Sequence, residues 1–243
     1  HGMKRSPLYL LLGLFLLSMG AMSPVSSSQG LIGYWPLNGD ALDYSGNDYH
    51  GTLLSGASFV PNPEGSGMVL QTQLGDVDFG HVQVGLPSSL HPGHQVAGFQ
   101  GSGSLWVRFD DRVGMQHAAD WQGVLGNPPG LLYVNRRLGH NSIYTMVQRV
   151  EISGSNKNFW PQTPNGSTPD EDVWYHLAWT FHSHYQGNEG HFRWYLNGLP
   201  VAEYTNGVQT RNTSNFRIGA DYTGRSSNIK IAEVRLYDRI LES

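Results

Sequence analysis

Asp40, Asp43, Ser45, Asn47 and Asp48 crowd one short stretch beside Gly39 and Gly46. Ca²⁺ takes six to eight oxygen ligands from carboxylates, amides, backbone carbonyls and water, so a glycine-flanked turn of this composition suits a hard cation. The same residue types also close a turn by bonding their own backbone, with no metal at all. A second set of reactive types falls further along: Arg136, Tyr144, Gln148 and His176. A tyrosine or histidine that moves protons beside an arginine or glutamine that neutralises a uronate is the minimal equipment of a polysaccharide lyase, and Tyr144 and Gln148 share a face if their segment is one strand. A third set is made of rings and hydrogen-bonding groups: Trp121, Arg136, His140, Tyr144, Trp160 and Tyr222. Flat aromatic rings cover sugar faces while arginine, asparagine and histidine take hydroxyl or acidic groups, so these residues are the expected carbohydrate contacts. With 12% aromatic residues, some of these rings must instead belong to the core.

Other chemistries are excluded. There is no cysteine, so thiol nucleophiles and thiolate metal sites are absent. The chain contains no G-x-S-x-G elbow and no H-E-x-x-H. It also lacks an E-x-D-x-E strand, although a retaining glycosidase needs two carboxylates held about 5 to 5.5 Å apart. His182, His184 and His191 have a spacing zinc can use, but they flank the polar loop SHYQGNEG, where solvated side chains are the ordinary expectation. A net charge of −4 with only 14% charged residues leaves no electrostatic footprint for nucleic acid.

These residues need elements to position them. Lys4 and Arg5 precede an apolar run from Leu8 to Leu17, followed by the small and polar stretch Ser18 to Gln29. That is the order of a secretory signal peptide, and the apolar run is shorter than the roughly 20 residues a spanning helix needs. Residues 1–28 are therefore expected to be a two-residue remnant, His1 and Gly2, plus a leader. Residues 29–243 are expected to form one domain, secreted or periplasmic, with no stable membrane insertion once the leader is gone. In that remainder, apolar and polar residues alternate in short bursts separated by turn-forming residues, which predicts an all-β sandwich. Predicted strands include Leu31 to Trp35, Val77 to Val84, Ser104 to Phe109, Ile143 to Ile152, Trp174 to His182, Phe192 to Leu196, Val201 to Thr205 and Ile229 to Tyr237. Asn197-Gly198 supplies the two positive φ angles of a tight hairpin. In WYHLAWTFH, Tyr175, Leu177, Trp179 and Phe181 form the expected core face.

The ordered motifs GLIGYWPLNGDALDYSGNDYHGTL, SLWVRF, WYHLAWTF, FRWYLNGLPVAEY, FRIGA and IKIAEVRLYDRILES run from Gly30 to Glu242. Together they resemble the concanavalin A-like, laminin G-like jelly-roll domains of exported bacterial proteins. The resemblance implies a two-sheet antiparallel jelly-roll β-sandwich whose first and last strands are neighbours. It further implies a structural Ca²⁺ at that seam, with Asp43, Asn47 and Glu233 as side-chain ligands. The closing strand departs from the family's frequent I-D-E-V-R, because Ala232 stands where an Asp is common. The stretch from Asp110 to Asp172 matches little, and specific function is expected there. The leading functional expectation is a lectin-like module that binds a glycan or polysaccharide; the alternatives are a jelly-roll polysaccharide lyase and an adhesive, protein-binding domain.

Overall fold

The computed structural model describes residues 30–73, 80–87, 100–110, 121–126, 133–137, 143–146, 150–152, 155–157, 170–185, 189–204, 216–220 and 226–241. Within them the chain forms β1 (Leu31–Trp35), β2 (Gly51–Leu53), β3 (Ser58–Pro61), β4 (Met68–Gln71), β5 (Val82–Val84), β6 (Gln100–Phe109), β7 (Trp121–Gly126) and β8 (Tyr133–Arg137). There follow β9 (Ile143–Met146), β10 (Val150–Ile152), β11 (Ser155–Lys157), β12 (Trp174–Tyr185), β13 (Glu189–Leu196), β14 (Leu199–Tyr204), β15 (Phe216–Ile218) and β16 (Ile229–Tyr237). A large sheet runs in the order β14-β13-β12-β6-β16-β4-β3, with β1 joined to β16, and a smaller one in the order β2-β5-β15-β7-β8-β9. All pairings are antiparallel, and β10 and β11 form a separate hairpin. This is the all-β sandwich that the alternation predicts and the two-sheet jelly roll that the family resemblance implies.

Side-chain alternation decides what the two sheets bury between them. From β6 come Leu105, Val107 and Phe109; from β12, Leu177, Trp179 and Phe181; from β16, Ile229, Ile231, Val234 and Leu236. Val82, Val84, Val124, Leu125, Phe216 and Ile218 answer from the smaller sheet. Trp35 and Phe216 meet across the core with ring centroids 5.9 Å apart. Close approach fixes one glycine: a Cβ on Gly103 would stand 2.2 Å from the ring of Trp179, its partner across β6 and β12.

The Asn197-Gly198 turn behaves as predicted, with φ of 50° and 79° and Leu196 paired to Leu199. The segment expected as one strand from Ile143 to Ile152 is two, β9 and β10, which belong to different sheets. Of the strand expected over Val77 to Val84, only β5 falls within the described residues.

Candidate functional site

The two ends of the chain do come together. Leu31 pairs with Tyr237, Tyr34 with Arg235 and Trp35 with Val234, while β4 takes the other half of the same edge of β16 through Leu70 and Gln71. The oxygen-rich turn is sewn onto the free edge of β1. Asp43, buried to 6% exposure, accepts from the backbone N–H groups of Tyr34 (2.9 Å), Ser45 (2.9 Å) and Tyr49 (3.0 Å) and from the Ser45 hydroxyl (2.8 Å). Asn47 gives its amide NH₂ to the carbonyls of Leu31 and Ile32, at 3.0 and 2.9 Å. The Trp35 indole N–H reaches the Tyr49 carbonyl at 2.9 Å.

These bonds bear directly on the expected Ca²⁺. The two oxygens of Asp43 already take four donors, which uses the acceptor capacity of a carboxylate. Asn47 turns its amide NH₂, not its carbonyl, toward the β1 carbonyls of Leu31 and Ile32. Tyr34 directs both its N–H and its C=O toward the turn, the C=O accepting from Tyr44 at 2.7 Å, and its opposite edge toward β16. Strand β1 therefore runs between Asp43 and Glu233. The set Asp43, Asn47 and Glu233 does not fit one cation in this arrangement, and the turn is closed by its own hydrogen bonds.

Glu233 belongs to a different assembly. The sequence IKIAEVRLY places Ile229 and Ile231 in the core and then Val234 and Leu236, one residue out of phase. A bulge absorbs the slip: Ala232 pairs with Trp106 and Arg235 with Ser104, so Glu233 and Val234 together face Leu105 alone. Glu233 adopts φ 57°, in the left-handed region that costs a non-glycine residue of order 1 kcal/mol. Bulges of this kind re-aim a side chain, and strained backbone concentrates where a site over-determines it. Here the carboxylate is delivered to the outer face of the large sheet. Its Oε2 accepts the Tyr34 hydroxyl at 2.9 Å and a guanidinium N–H of Arg235, whose Cζ lies 4.3 Å over the Tyr34 ring. Burial, then the bond to Glu233, raises the pKa of Tyr34 above its usual value.

Beside this triad, register aligns Ala232, Trp106 and His176 across three adjacent strands. Trp106 stacks tilted on His176 with centroids 5.1 Å apart, yet it remains 40% exposed. Desolvation, with the Arg235 charge adding to it, lowers the pKa of His176 and keeps the ring neutral near pH 7. Two hollows open on this face. One, of about 340 Å³, is walled by Trp106, Trp174, Asn62, Glu64, Ala232 and Glu233. The other, of about 470 Å³, shares Asn62, Ala232 and Glu233 and continues past Tyr34, Asp40, Tyr44 and Ser66. They make one groove with rings on its walls, carboxylates and amides between them, and the small Ala232 at the junction. One end is braced by ion pairs of Arg108 with Asp172 (2.8 Å) and Lys230 with Asp110 (2.7 Å).

The residues expected to bind sugar or to act in a lyase are placed elsewhere. Trp121, Arg136 and Tyr144 lie on the neighbouring strands β7, β8 and β9 of the smaller sheet, where Arg136 pairs with Gln122 and Ile143 and Tyr144 with Asn135. His176 lies on the outer face of the other sheet. The core therefore stands between His176 and the strands carrying Arg136 and Tyr144, and these three described members of the lyase set are not brought together. Gln148 lies outside the described residues. His140, Trp160 and Tyr222 are also outside the described residues. Of the histidines at the β12–β13 hairpin, His182 faces His191 across the strands, and the His191 ring bonds Glu203 at 2.6 Å. Among the described residues, no group of three or more His, Asp or Glu is placed to hold a metal ion, and no helix is long and apolar enough to cross a membrane.

The site thus sits on one outer face of a two-sheet antiparallel jelly-roll β-sandwich, as an open, ring-lined groove. A family profile described as the concanavalin A-like lectin/glucanases superfamily, of laminin G type, matches residues 85–243, and the chain belongs to that family. No curated protein sequence matches it. Among solved structures it is similar to domain 4 of AbnA, a GH43 extracellular arabinanase from Geobacillus stearothermophilus, in complex with arabinotriose. Identity there is 19% and the TM-score 0.56, over 87% of this chain and 94% of that one. It is also similar to the botulinum neurotoxin serotype G binding domain (13% identity, TM-score 0.60, 87% of this chain and 48% of that one). The binding domain of Paraclostridial Mosquitocidal Protein 1 gives 13% identity and a TM-score of 0.61, over 88% of this chain and 50% of that one. The chain thus spans about half the length of those toxin binding domains, and at these identities the likeness concerns the fold.

Proposed function

We propose that this is a carbohydrate-binding domain of an exported protein, secreted or periplasmic, which holds a glycan in the groove of the large sheet without cleaving it. The observation that carries the reading is the exposed Trp106 beside Trp174, with Asn62, Glu64 and Glu233 on the same wall. An exposed large aromatic ring in a concave polar setting is informative in a way that an isolated surface hydrophobe is not. Rings supply the apolar platform, and amide and carboxylate groups bond hydroxyls at a fixed orientation. The similarity to an arabinanase domain solved with arabinotriose supports the same reading. Affinity per site is modest, because an open groove buries less of a ligand than an enclosed pocket does.

Calcium has no part in this proposal, since Asp43 spends its oxygens on backbone donors. The test is a glycan array probed with the wild-type domain and with Trp106→Ala. Retention of defined oligosaccharides by the first and not the second supports the reading. Equal retention by both moves the site away from this groove, and retention of a protein by the array's control spots alone favours the adhesive alternative.

A further inference from the structure

Building on that reading, we infer that the groove selects glycans bearing free amino groups and rejects uronate chains. Three carboxylates, Asp40, Glu64 and Glu233, are among the described residues that wall the two hollows, and no lysine, arginine or histidine is among those described residues. The cations nearby are committed to other partners. Arg235 is spent on Glu233 and the Tyr34 ring, Arg108 lies 2.8 Å from Asp172 but 4.0 Å from Glu64, and Lys230 is held by Asp110. His176, stacked behind Trp106, adds no charge near neutral pH. Five described carboxylates (Asp40, Glu64, Glu233, Asp110 and Asp172) thus share three cations, Arg108, Lys230 and Arg235, and the excess negative charge falls on Asp40 and on Glu64, whose contact with Arg108 is a long 4.0 Å, on opposite sides of the Ala232 junction.

A uronate entering such a groove meets like charge and, among the described residues, no arginine on the wall to receive it. An ammonium group meets the reverse, a carboxylate on each side of the junction and the rings of Trp106, Trp174 and Tyr44. Aromatic faces attract cations through the ring quadrupole, and exposed opposite charges add a further salt-sensitive attraction. Ala232 sharpens the argument. Its methyl group leaves open the space where the family's frequent aspartate would stand, so an amino sugar can reach both hollows without displacing a side chain.

The experiment is calorimetric titration of the domain with a glucosamine tetramer, its fully N-acetylated counterpart, arabinotriose and a galacturonate tetramer, at 50 and 500 mM salt. The expected result is tightest binding of the glucosamine tetramer, weakened about fivefold or more by the higher salt, with the galacturonate tetramer weakest. Glu64→Gln should lower the preference for the free amine over the acetylated form by about two- to fivefold, the usual range for one exposed ion pair. Glu64 is exposed and its one ion pair, to Arg108, is a long 4.0 Å, so this variant keeps the fold. Ala232→Leu, which fills the junction, should abolish binding of every sugar. Equal, salt-insensitive binding of acetylated and free-amine tetramers, or preference for galacturonate, overturns the selectivity and leaves the groove as a sugar site. Binding that survives Ala232→Leu, or binding of none of the four, overturns the groove itself.

Discussion

Replacing Trp106 by alanine removes a ring that is 40% exposed at the wall of the groove and stacked on His176 behind it. A tryptophan presents at most about 250 Å² of surface, so roughly 100 Å² of this one is open to a ligand. At about 25 cal/mol per Å², covering all of it is worth about 2.5 kcal/mol. A pyranose or furanose ring covers one face only, about half of the open area, which leaves about 1.3 kcal/mol. That is close to a tenfold change in Kd. The fold also loses stability: Trp106 lies on the outer face of β6 with about 60% of its surface covered, roughly 150 Å², which at about 25 cal/mol per Å² is at most about 4 kcal/mol, its contact with His176 included. The assay is isothermal titration of wild type and variant with the best oligosaccharide from an array, alongside thermal melts of both. A tenfold loss of affinity, with a melting temperature lowered by about 5–15 °C and a cooperative transition retained, is expected. Affinity unchanged within twofold would refute the placement of the sugar on this ring. A collapse of the melt would refute the claim that the ring stands outside the core.

Asp43→Ala strips four donors, three of them backbone N–H groups, of their acceptor. It should destabilise the domain by about 2–4 kcal/mol in a denaturant titration, whereas excess chelator should leave the wild-type melt unchanged; a chelator-induced drop would show a cation in the turn. The pKa of His176 is depressed in the fold, so the unfolded chain binds its proton first as pH falls. Stability contributed by the neutral ring is present above the unfolded value of about 6.5 and lost below it, toward the lower folded value. Melts between pH 7.5 and 5.5 should therefore show a downward slope with acidification that is shallower in His176→Gln, and equal slopes would count against the shift. Glu233→Gln should bring the raised Tyr34 pKa back toward its ordinary value, read by ultraviolet titration of the phenol at high pH.

Local chemistry made much of the scaffold readable from sequence. The strict alternation of Leu177, Trp179 and Phe181 and the Asn197-Gly198 pair each state a rule that needs no distant information, whereas the pairing of the first and last strands is implied by the family resemblance. Strands β2, β3 and β4 are three or four residues long and set among glycine, proline and serine, too short to show a period. The segment from Ile143 to Ile152 reads as one strand because its apolar spacing carries no sign that β9 and β10 serve different sheets. The groove is harder still: Tyr34, Asn62, Trp106, Trp174 and Glu233 come from five separated segments, and no spacing links them. Two signals were nonetheless present. In SLWVRF, Trp106 falls on the polar side of an otherwise apolar alternation, and in IKIAEVRLY the apolar phase slips by one residue at Ala232-Glu233, which is the mark of a bulge.

The pairing of β1 with β16 also shapes how the molecule reaches its fold. Tyr34 and Glu233, in contact through the phenol, are 199 residues apart in the chain. Relative to a hairpin of about ten residues, closing so long a loop costs roughly 2–3 kcal/mol more in chain entropy. Contacts of such separation slow folding, so this pair should form late, after the β12–β13 and β13–β14 hairpins. Until it does, the edge of β16 that receives β1 stays uncovered and able to pair with another chain. A circular permutant that links Leu241 to Gly30 and opens the chain at the exposed Asn197-Gly198 turn converts the slowest contact into a local hairpin. The native contacts of the seam would be the same, but the time spent with an open edge, and with it the yield against aggregation, would change with the order of the chain alone.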